Sequence, residues 1–173
     1  MRRGVAAAAL ALLALAGCTA APTVTLPPVA AQAGYDPFRA AIRGAADAFA
    51  YPEALANRPR EAAIAVAQLE YLATEMMMPR RSLNFSGIVA PSLQAARYEV
   101  RSWLGISQSA PPQAVINALT ANPPDLSDRA IFTAGPEETL QRLSHMPRLP
   151  QANAATAAAR QELEFGLPDV DIR

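Results

Sequence analysis

The chain has no lysine: all 15 of its basic residues are arginine. That excludes a P-loop lysine, a Schiff-base lysine and a Ser-Lys dyad. A single histidine cannot supply a two-histidine metal site, and a single cysteine excludes an intrachain disulfide framework or a CxxC redox pair. The 15 arginines balance 15 acids, so there is no basic signature for nucleic acid. No GxSxG occurs, and no sustained period-two run rich in β-branched residues.

What is present begins with Met1-Arg2-Arg3, a short cationic head, followed by the apolar run Val5 to Ala16. Twelve residues fall short of the roughly 18 to 20 that a helix needs to cross a bilayer, so the run reads as an export signal and not a permanent span. At its end stands Leu15-Ala16-Gly17-Cys18. This tetrapeptide resembles the lipobox of bacterial lipoproteins, in which a small residue precedes an invariant cysteine. The resemblance covers the export segment alone. It implies that Leu15, Ala16 and Gly17 are recognised by the signal peptidase, that cleavage falls before Cys18, and that Cys18 carries a diacylglyceryl group and an acylated amine. With Thr19 in place of the inner-membrane-retention aspartate, it further implies the inner leaflet of the outer membrane, facing the periplasm.

Removing residues 1–17 leaves 13 arginines against 15 acids. From Thr19 to Gly34 the chain has three prolines, no charge and no helical period, and residues 18–35 read as a lipidated cysteine followed by a flexible tether. Sixteen such residues extended at a polyproline rise of roughly 3.1 Å reach about 50 Å. Residues 36–173 have the length of one domain.

That body reads as helices punctuated by proline. Asp36-Pro37 caps a helix with Phe38, Ile42, Ala45 and Phe49 on one side. Pro59 opens Arg60 to Met78, where Ala62, Val66, Leu69, Ala73 and Met76 form one apolar seam and Ile64, Ala67, Tyr71 and Met78 a second. A helix with two seams is the candidate centre, its polar stripe being Glu61, Gln68 and Glu75. Val89, Leu93, Ala96, Val100 and Trp103 predict a third helix, with Gln94, Arg97 and Arg101 on its opposite side and Gly105 as its stop. Short helices follow around Val115-Ile116-Leu119 and from Pro136, the latter with Leu140, Leu143 and Met146 inward; an alanine-rich helix closes the series at Gly166. The fold class is all-α, a compact bundle or orthogonal array of about five to seven helices. Forty alanines favour close helix approach.

Candidate chemistry is sparse. His145 falls at a helix end, where the exposed carbonyls favour a cation. Met76, Met77 and Met78 diverge by about 100° per residue and cannot converge on one soft metal ion within a helix. Glu53, Glu61, Glu70, Glu75 and Glu99 read as solvated surface. Lytic transglycosylases are helical and often lipid-anchored, but their Glu-Ser opening and Gly-Leu-Met-Gln stretch are absent. No catalytic residue, metal or cofactor is assigned. Arg80 and Arg81 beside Phe85, with Arg97 and Arg101 on the next helix, form the candidate partner-binding set, able to take a carboxylate, a phosphate or a partner's acidic helix. The expected function is a lipid-anchored, non-enzymatic adaptor or assembly factor with an envelope protein partner. A small-ligand carrier and a cell-wall-directed enzyme are the alternatives. An adaptor predicts an exposed apolar patch around Phe85 and Ile88; a carrier predicts an enclosed cavity.

Overall fold

A computed structural model describes residues 23–31 and 36–166. The signal segment, Leu15 to Cys18, and residues 19–22, 32–35 and 167–173 lie outside the described residues. The described part holds seven α-helices and no strand: α1 Pro37–Ala50, α2 Pro59–Glu75, α3 Pro79–Ser82, α4 Val89–Leu104, α5 Pro112–Thr120, α6 Pro136–Ser144 and α7 Pro150–Phe165. Six of the seven begin with proline, where the missing N–H is no loss and φ is already helical, and α4 has Pro91 at its third position. Among the described residues no helix is long and apolar enough to cross a membrane.

Helix α2 is the centre. It packs on α1, α4, α5 and α6, while α7 packs on α1 and α4 in the layer beyond. Ala62, Ala63, Ala65 and Ala67 are all buried, so neighbouring backbones approach closely without leaving voids. Because α2 is covered on nearly every side beyond its first turn, most of its polar stripe is covered as well: Gln68 and Glu75 are buried, and so is Glu70, while Glu61 stays at the surface.

What covers Gln68 corrects the tether. Residues 23–31 form a strap laid across the body, with Val24, Leu26, Ala30 and Ala31 in the core and a single 3-10 turn over Pro28–Ala30. Gln113 on α5 holds the backbone of Thr25 from both sides: its Oε1 accepts from Thr25 N at 2.7 Å and its Nε2 donates to Thr25 O at 3.1 Å. The amide thus stands in for a neighbouring strand. At the other end Gln68 Nε2 donates to the buried carbonyl of Ala30 at 2.8 Å. Proline and alanine without charge suit a tether, but the same composition can be buried without desolvating an ion, and here Val24 and Leu26 complete the core.

Gly44 on α1 makes room for the Gln68 amide; a Cβ there would stand 2.5 Å from Gln68 Oε1. Gly44→Ala should therefore destabilise the protein, although alanine is the better helix former by about 1 kcal/mol. Displacing the amide strands a buried carbonyl at a cost of about 1–3 kcal/mol, so the net loss should be about 1 kcal/mol. The check is a urea midpoint with thermolysin cleavage near Leu26; an increase in stability would show that the strap does not depend on this bond.

Two helical stripes turn further than their spacing suggests. On α4 the buried series is Val89, Leu93, Ala96, Val100 and Leu104, leaving Trp103 partly exposed and drawing Arg101 inward. On α6 Thr139 and Leu143 face in and Leu140 faces out. Gly105, left-handed at φ 71°, ends α4 as expected.

Candidate functional site

The arginines expected to act together divide into two groups. Arg101 is in the core, 1% exposed, and belongs to no surface site. Its Nε and Nη2 grip both oxygens of Glu70 at 2.6 and 2.7 Å, and its Nη1 donates to the carbonyls of Ser107, Gln108 and Ala110 at 2.9, 3.1 and 2.9 Å. One guanidinium thereby ties α4 to α2 and to the loop entering α5. No buried side-chain nitrogen or oxygen among the described residues lacks a partner. Arg97 is half-buried on α4; burial lowers its pKa, Glu70 opposes that shift and Arg101 adds to it. It lines no part of the groove described next.

Arg80, Arg81 and Phe85 do come together, at the C-terminal end of α2. There the chain leaves the helix and turns through α3, so that Pro79-Arg80-Arg81 folds back over Glu75. Glu75 is buried and accepts from Arg80 Nη2 at 3.1 Å and Arg81 Nε at 3.5 Å. Phe85 is buried edge-on against Phe38, with ring centroids 5.9 Å apart, and the Arg81 guanidinium lies 4.5 Å above the Phe38 ring. Burial pushes the Tyr71 hydroxyl above its ordinary pKa; Glu75 adds to that push and Arg81 opposes it.

Around this cluster opens a groove of about 460 Å³ lined by Asp36, Phe38 and Arg39 of the α1 start, Arg80, Arg81, Asn84 and Phe85, and Glu162 and Leu163 of α7. The two acids that line it, and Glu75 beneath it, are already engaged. Asp36 caps α1 by accepting from Phe38 N at 2.8 Å and Arg39 N at 3.2 Å; Glu162 accepts from Ser86 N at 2.7 Å and from the Ser86 hydroxyl; Glu75 holds the two arginines. Arg39 is exposed and its guanidinium makes no ion pair among the described residues, and the Arg80 side chain remains 64% exposed. Donors therefore outnumber available acceptors, and the groove can take a carboxylate or another planar anion.

No family model, curated protein or solved structure matches this chain. The site's chemistry has to be taken from its own geometry. Arg39, Asp36 and Glu162 were missing from the sequence-derived set because they reach the groove from α1 and α7, more than 40 residues before and more than 70 residues after Arg81 and Ser86 respectively. The local signal that did exist is Glu75 five and six residues ahead of the Arg80-Arg81 pair, a spacing that only a helix-ending turn brings into contact.

The remaining candidates take ordinary places. His145 caps the end of α6, exposed, with Nδ1 3.2 Å from Gln141 O. Met76 is in the core and Met77 is exposed, so the three methionines do diverge. Glu61 pairs with Arg58 at the surface, and Glu99 accepts from the backbone of Ala152 at 2.9 Å near the start of α7. The expectation that every glutamate is solvated fails at Glu70 and Glu75, because α2 has no solvent-facing side at those positions.

Proposed function

We propose that this chain is a lipid-anchored cell-envelope protein whose helical body is a non-enzymatic adaptor or assembly factor, taking an acidic segment of a protein partner in the groove at the end of α2. The observation that carries the reading is the surplus of guanidinium donors there: Asp36, Glu75 and Glu162 are spent on internal bonds while Arg39 and Arg80 face solvent. The adjoining turn exposes Leu83 and Ile88, 79% and 66%, which supplies apolar surface beside the charge. Guanidiniums next to aliphatic side chains suit an amphipathic acidic peptide, with charge setting orientation and apolar contact adding affinity. Phe85 serves the site from below, as a buried support for Phe38 and not as the exposed anchor expected of it.

The carrier reading has one observation in its favour, an apolar cleft of about 370 Å³ between α1 and α2 lined by Ala48, Leu55, Ile64 and Ala65. It is an open trough, whereas a small-molecule site usually buries about 70–90% of its ligand. The adaptor reading therefore leads.

In-cell photocrosslinking of the full chain from position 83 should capture one stoichiometric envelope protein. Arg39→Glu should weaken that capture by about 10-fold or more, since like charges brought together across an interface cost on the order of a kcal/mol or more. Arg39 is exposed and holds nothing in the core, so the melting temperature should not move. Recovery of bulk lipoproteins alone, equally in wild type and variant, would sink the adaptor.

A further inference from the structure

We propose that the face built from the strap and α5 is the surface that lies against lipid headgroups, so that the strap fixes which way the body points. The inference rests on the lipid-anchor reading of Cys18. Three observations carry it.

The first is length. Among the described residues strap packing begins at Val24, six residues after Cys18. Whatever their conformation, six residues span at most about 22 Å. A body of this size has a radius of gyration of about 14 Å and is about 37 Å across. A leash shorter than the body cannot present an arbitrary side to the membrane; it holds the Val24 end close.

The second is charge. Residues 4–35 and 102–124 are the two long stretches of the chain without Asp, Glu or Arg, and the bonds of Gln113 to Thr25 lay one against the other. The outer groups on this face carry no charge: Thr25, Ser109, Gln113 and Asn117 are polar, and Val29 of the strap is apolar and 46% exposed. Such groups meet hydrated headgroups without stripping water from an ion, whereas the acid-bearing remainder of a net-acidic mature chain is repelled by anionic lipid. Of the cations next to it, Arg101 holds the carbonyls of Gln108 and Ala110 from within the core and is paired there with Glu70, and Arg60 is turned along the protein surface to Asn122 Oδ1 at 2.7 Å and Ala121 O at 3.3 Å.

The third is layering. α5 packs on α2, and α7 packs on α1 and α4 beyond it, so α7 becomes the face turned to the periplasm.

The test uses the full lipidated protein in 3:1 phosphatidylethanolamine:phosphatidylglycerol vesicles. Acylated Cys18 takes no thiol reagent, so a fluorophore can be placed singly through Asn117→Cys or Ser109→Cys on the proposed contact face, and through Ala157→Cys on α7; all three positions are exposed. A headgroup-attached nitroxide lipid should quench the first two severalfold more than the third. Adding Gln68→Ala and Gln113→Ala, which frees both ends of the strap, should abolish the contrast. A protein whose intact mass shows the diacylglyceryl group but whose labels quench equally, or most strongly at 157, overturns the orientation alone. An intact mass without that group overturns the anchor reading and the orientation with it.

Discussion

Arg101→Ala should destabilise the protein by about 3–5 kcal/mol, the usual cost of leaving one partner of a buried ion pair uncompensated. Glu70 is 1% exposed and would be left with both oxygens stripped of donors, while three carbonyls at Ser107, Gln108 and Ala110 would lose theirs. Against a total stability of roughly 5–15 kcal/mol for a domain, that places the variant near its unfolding threshold. Arg101→Lys should recover little, because one ammonium cannot grip two carboxylate oxygens and also reach three carbonyls in a fixed fork. Arg101→Met combined with Glu70→Leu should be far less damaging than Arg101→Ala alone, since no charge then remains to be stranded. Urea unfolding of the four proteins is the measurement. A loss under 1 kcal/mol for Arg101→Ala would mean that water reaches Glu70.

The helices and their prolines were legible in the sequence because the signals are local: a proline in the first turn, a left-handed glycine at the end of α4, an apolar period between them. The burial of Arg101 was not. Its position on α4 looks polar by spacing, and only the choice of Leu104 over Trp103 as the last inward residue rotates it toward α2. A clue lay in α2 itself. A helix with two apolar seams leaves no solvent side for Glu70, and with no lysine in the chain its partner had to be an arginine or the lone histidine. Which arginine depends on how α4 crosses α2, a tertiary fact that no spacing within α4 encodes.

The strap shows the same limit from the other direction. Thr19 to Gly34 has the composition of a linker, and composition decides only that such a segment has little structure of its own. Val24 and Leu26 find a place because α2 offers Gln68 and α5 offers Gln113 at a separation that the six residues from Thr25 to Ala30 bridge. The groove was half legible: Arg80 and Arg81 stood out as a pair next to a helix end, but the cap at Asp36 and the Ser86–Glu162 bond that shape its walls join segments far apart in the chain.

Replacing Cys18 should produce the largest change in where the protein is found. Each buried methylene contributes about 0.8 kcal/mol to membrane binding; one acyl chain binds reversibly with an association constant near 10⁴ M⁻¹, and a second makes the attachment effectively permanent. On the proposed anchoring, Cys18→Ala removes every chain at once. With its own signal segment, the variant should accumulate as a longer, unprocessed precursor; with residues 1–17 replaced by an ordinary cleavable signal, it should leave the membrane fraction for the soluble one. Neither change touches the fold, because the first strap residue in the core is Val24, and the urea midpoint should stay within about 0.5 kcal/mol of wild type, as for a surface change. The released protein should still bind the proposed partner when purified, since Arg39 and Arg80 lie on the body, while capture in the cell should fall because the proposed anchor no longer concentrates it at the membrane. A variant that fractionates and migrates like wild type would remove the lipid anchor from the account, and with it the orienting role of the strap, but not the groove.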